Sequence, residues 1–128
     1  MKRLALIPLL LTVTGVSVRA DVASSASDSL GTRINGVLGG RCQSGLCRIS
    51  GGSHSGRNRF HRLSEFDTRG AIQGVSINSE DVRNLVLAVS ATDGSFINKS
   101  VSLSSPAHLF VHSPAGLQLS PGAALQHT

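Results

Sequence analysis

The chain has no tryptophan and no tyrosine, one methionine, two cysteines and seven acidic residues in 128 positions. Each scarcity excludes something. Proteins that grip single-stranded nucleic acid stack bases on aromatic rings set among basic residues, so arginines without Trp or Tyr argue against a nucleic-acid partner. Polysaccharide-cleaving and calcium-dependent sites gather carboxylates. Here the one adjacent acidic pair, Glu80-Asp81, stands in a turn-like stretch. Hydrophobic runs are short as well. The longest, Leu4 to Val13, is interrupted by Pro8 and Thr12 and followed by Thr14 and Gly15. A bilayer span needs about 20 apolar residues.

What the first twenty residues do contain is a basic start (Met1-Lys2-Arg3), that short apolar run, and Val18-Arg19-Ala20 ahead of Asp21, with small residues three and one positions before it. This is the pattern of a secretory signal peptide cleaved between Ala20 and Asp21. Cleavage removes Lys2, Arg3 and Arg19 and leaves nine basic and seven acidic residues, a net charge of +2 rather than +5. The remaining positive charge gathers at Arg41, Arg48, Arg57, Arg59, Arg62 and Arg69, which read as a solvated basic face.

Export places Cys42 and Cys47 where a disulfide persists, closing a small loop around Gln43-Ser44-Gly45-Leu46. The competing reading is a metal held by Cys42, Cys47, His54 and His61. The four-residue spacer and scattered histidines depart from the usual zinc spacing, so neither a metal nor another cofactor is expected.

Residues 21–32 are small and polar and need some other segment to tie them down. From Ile34 onward glycines punctuate the chain and leave room only for short strands. Phe60, Leu63 and Phe66 fall three apart and could share a helical face, but the flanking glycines make the run short for a helix. Leu85, Leu87 and Val89 alternate as in a half-buried strand. Short apolar runs then recur at Phe96-Ile97, Val101–Leu103, Leu109–Val111 and Leu117–Leu119. Many short strands and no helix-length amphipathic segment predict an all-β sandwich, barrel or solenoid. No fixed repeat length is legible.

The segment Ile49 to Phe66, with Gly51-Gly52, Gly56, Asn58, Phe60, His61 and Phe66, resembles the Gly-Gly…Gly-x-Asn-Leu-Phe-His-Ser-Phe-x-x-Phe signature of two-partner-secretion exoproteins, in the filamentous haemagglutinin N-terminal domain as it occurs in cyanobacteria. Leu85–Val89, Thr92–Phe96 and Leu109–Leu117 follow in that family's order, the last resembling its Leu-Phe-x-x-Asn-Pro-Asn-Gly-Ile segment. Arg59 and Leu63 replace the usual Leu and Phe; Ser113 and Ala115 replace the two asparagines beside Pro114 and Gly116.

The resemblance spans residues 21–128 and implies a right-handed parallel β-helix with short capping strands, incomplete at its C-terminal end. It implies a non-enzymatic secretion module, secreted or displayed at the cell surface. An outer-membrane β-barrel transporter would bind it through periplasmic repeats, and a cell-surface or carbohydrate target would follow. Asn58, Phe60, His61, Arg62, Phe66, Ser113, Pro114, Gly116 and Leu117 are the motif residues. Phe60 and Phe66 are expected in the core, Asn58 and Arg62 exposed for recognition, His61 in a structural hydrogen bond, and Leu117 pointing inward. Two other readings are a β-helical carbohydrate-active enzyme and a truncated, vestigial product of marginal stability.

Overall fold

The computed structural model describes residues 20–127; the expected signal peptide, apart from Ala20, lies outside the described residues. The sequence of elements is β1 (Asp21–Ala23), β2 (Thr32–Ile34), β3 (Val37–Leu38), β4 (Arg41–Cys42), β5 (Gly45–Gly51), β6 (Ser53–Ser55), β7 (Asn58–Leu63), β8 (Glu65–Asp67), β9 (Ile72–Ile77), β10 (Asn84–Val89), β11 (Ser95–Ile97), β12 (Ser100–Leu103), β13 (His108–His112), β14 (Leu117–Leu119) and β15 (Ala124–His127). No helix occurs among the described residues.

These strands wind as a β-solenoid of about three turns with parallel sheets. One sheet stacks β7, β10 and β13; a second stacks β5, β9, β12 and β15; a third stacks β8, β11 and β14. Asn58 lies beside Asn84, and Asn84 beside His108, so each coil returns the chain to the same column one strand spacing along, about 4.8 Å.

Inward residues form the core because a strand alternates its side chains and each coil repeats the alternation. Leu85, Leu87 and Val89 are buried on β10, and Val75 and Ile77 on β9 are followed on β12 by Val101 and Leu103. The segment that sequence left between helix and strand is strand, β7 and β8. Its inward set is Arg59, His61 and Leu63, all buried, while Phe60 between them faces outward and is only partly buried. This corrects the expectation that Phe60 packs in the core; Phe66, on β8, does.

The N-terminal end is closed by antiparallel strands in every sheet. β1 lies between β4 and β8, β2 between β3 and β5, and β6 along β7. The polar segment after Asp21 is thus held by pairing, with Val22 and Ala23 fully buried. The Cys42–Cys47 disulfide joins β4 to β5, linking two different sheets beneath this cap. The C-terminal end is different: β13, β14 and β15 are each last in their sheets, and inward-pointing residues of that coil remain exposed.

Candidate functional site

The alternation that sends Arg59 and His61 inward brings Asn58, Phe60 and Arg62 onto the outer face of the sheet formed by β6, β7, β10 and β13. Parallel register extends each of them into a column. Asn58 stacks with Asn84 and His108, Phe60 with Val86 and Phe110, and Arg62 with Ala88 and His112. The result is a flat face with an aromatic and aliphatic centre, an amide edge and a basic edge. Asn84 Nδ2 donates to Asn58 Oδ1 at 2.8 Å, which fixes the two amides relative to each other. Phe110, on the last strand of this sheet, is 54% exposed. Sequence reasoning missed Asn84, Val86 and Phe110 as members of this face. The signal that finds them is the register itself, which only the coil length reveals.

Arg62 is oriented from beneath. Its guanidinium lies 3.8 Å from Asp28 Oδ1, and Asp28 is almost wholly buried in the cap. The Arg62 N–H donates to Thr32 Oγ1 at 3.1 Å, and the same hydroxyl is hydrogen-bonded to His61 Nδ1 at 3.2 Å. Burial, followed by the nearby Arg59 guanidinium, pushes the His61 pKa down to about 4. His61 is therefore neutral at neutral pH and holds the cap to the first coil, the structural hydrogen bond expected of it. Arg59 is not part of a solvated basic face. It is buried, donating to His54 Nε2 from Nη2 at 2.7 Å and to the Asn78 carbonyl from Nη1 at 2.9 Å.

The second group of motif residues sits a coil or more away, at the corner between β13 and β14. Ser113 Oγ donates to the Gly116 carbonyl at 2.7 Å and receives the Ser95 hydroxyl proton at 2.9 Å, so serine satisfies this turn. Gly116 has φ of +122°, a conformation that a side chain strains. Pro114 is exposed. Leu117 points toward the solenoid axis as expected, yet is exposed, because no coil covers it. The structure therefore does not unite the two motif groups in one site.

Acidic side chains concentrate on the third sheet. Asp21 accepts from Arg41 at 2.7 Å, Asp67 pairs with Arg69 at 2.7 Å, and the Arg69 guanidinium lies over the Phe96 ring at 3.9 Å. Desolvation first, then Asp93 and Asp21, push the Glu65 pKa up. Among the described residues no three His, Cys, Asp or Glu side chains are placed to hold a metal ion. Cys42 and Cys47 are bonded to each other rather than available as ligands. Glu80-Asp81 stands in an exposed turn, with Asp81 at φ of +62°. No family model, curated protein or solved structure matches this chain.

Proposed function

We propose that this chain is a non-enzymatic secretion module of the filamentous haemagglutinin N-terminal type. Residues 1–20 direct export, and the outer face centred on Phe60, Val86 and Phe110 is what the periplasmic repeats of an outer-membrane β-barrel transporter bind. One observation carries this reading. Of the first motif, the residues suited to recognition, Asn58, Phe60 and Arg62, converge on one solvent-facing sheet, while His61 and Phe66 serve the interior. The β-solenoid fold is the one this resemblance implies. The exposed aromatic and basic columns have the composition of an interface centre and its rim.

The test is secretion from a bacterium that carries such a transporter. Phe110→Ser and His112→Glu alter the face at exposed positions of β13 without touching the core. Each is expected to leave a processed product beginning at Asp21 in the periplasm and to deplete it from the medium. Undiminished secretion of both variants refutes recognition by this face, and a periplasmic product beginning at Met1 refutes the leader.

A further inference from the structure

All twelve Lys and Arg residues and all seven Asp and Glu residues lie at or before Lys99, so the final coil carries no formal charge apart from histidine. That coil is also where exposed apolar groups gather: Leu119 is 64% exposed, Leu125 55% and Leu117 44%. Together with Leu109 and Val111 they wall a cavity of about 310 Å³ above Val101, open at the C-terminal end of the solenoid. Around its rim run the free edges of β13, β14 and β15, three rows of backbone donors and acceptors. Edge strands that stay single are protected by charge, by proline within the strand or by a covering element. None of these three strands contains a proline or a Lys, Arg, Asp or Glu.

An occupant that satisfies this end has to pair three edges at once and close the mouth between them. A lone extended peptide pairs one edge and leaves the cavity open. A ring of three strands with the same cross-section meets all three, and a second copy of this end is such a ring. The opposite end also finishes on three edge strands, β3, β4 and β6, but they are only two or three residues long and β4 carries Arg41, which blunts them as pairing edges. Rotation by a half-turn about an axis perpendicular to the solenoid reverses the strand direction, so that facing edges run antiparallel. In a contact of this symmetry a charged residue near the axis would meet its own copy. The last coil has none to repel.

We propose that the C-terminal coil is a self-association surface, through which two copies join end to end by β-edge pairing around a shared apolar centre. Sedimentation equilibrium of the purified chain is expected to give twice the monomer mass at micromolar concentration. Leu119→Lys, placing a charge in the mouth, is expected to weaken association on the order of a hundredfold while the far-UV circular dichroism stays unchanged. Val37→Lys, at the exposed β3 edge of the far end, is expected to change nothing. Hydrogen exchange of the unsubstituted chain gives a readout that needs no variant: amides of residues 108–126 gain protection as concentration rises. A monomer throughout the range, a dimer indifferent to Leu119→Lys in a folded chain, larger species dispersed by Val37→Lys, or exchange in 108–126 independent of concentration overturns the proposal.

Discussion

A Cβ built on Gly52 would lie 2.7 Å from His61 Cε1 and 2.9 Å from the Phe60 carbonyl oxygen, on a backbone with φ of +84°. The second glycine of the motif is thus the space into which the His61 ring fits. Gly52→Ala is expected to destabilise the fold by about 2–3 kcal/mol, read as a lowered urea midpoint. His61 itself gives the chain an acid sensitivity whose sign is fixed by its lowered pKa. The unfolded chain binds this proton from about pH 6.5 downward and the folded chain only near pH 4. Stability is therefore full above 6.5, falls as pH drops through that window, and levels off below about 4. The loss amounts to roughly 3 kcal/mol at most. Urea titrations at pH 7 and pH 4.5 should show His61→Gln losing less on acidification than the unsubstituted chain. Equal losses would mean that other groups set the response.

At the scale of elements, the corners hold the coils in register. Ser79 N donates to Ser104 Oγ at 2.8 Å and Ser105 N to Ser79 Oγ at 2.7 Å. On another corner Thr68 Oγ1 donates to Asn98 Oδ1 at 3.0 Å while Asn98 N donates back to Thr68 Oγ1 at 2.9 Å. The disulfide acts differently, tying β4 to β5 by closing a short loop. Cys42→Ser with Cys47→Ser is expected to cost about 2 kcal/mol of unfolding free energy, with the far-UV spectrum kept. How much of this was legible depended on where the polar partners lie in the chain. β10 could be read from Leu85, Leu87 and Val89, because apolar alternation is a local signal. β7 could not, since its inward residues Arg59 and His61 are polar, and of their partners Thr32 and Asn78 lie far along the chain. The repeat was hidden for a related reason. Corners take up unequal numbers of residues, so Asn58 to Asn84 and Asp67 to Phe96 are different intervals in the same solenoid. The outer face of β7, β10 and β13, which depends wholly on that register, was legible only at Asn58 and Arg62.

Over the whole molecule, the two ends differ in stability as well as in chemistry. At the N-terminal end the cap, the disulfide and the Asp28–Arg62 and Arg59–His54 contacts couple the first coil to elements on all sides. The final coil rests on one neighbouring coil alone. In a solenoid, stability is the sum of each coil and its contacts with the next. Local opening is therefore expected to begin at β13 to β15 in single chains. Limited proteolysis at high dilution should nick residues 113–126 before any site between 32 and 103, and first cuts in the capped half would contradict this gradient.

Lys99 offers a practical handle on these movements. Its ammonium is held at a corner by the carbonyls of Thr68, Gly70 and Ile72, and it is the sole lysine beyond Ala20. A processed chain thus has two primary amines, the new α-amine of Asp21 and this tethered one. An amine-reactive label should mark the first quickly and the second only when the corner opens. The mass of a briefly labelled sample then counts opened molecules one by one, without any engineered probe.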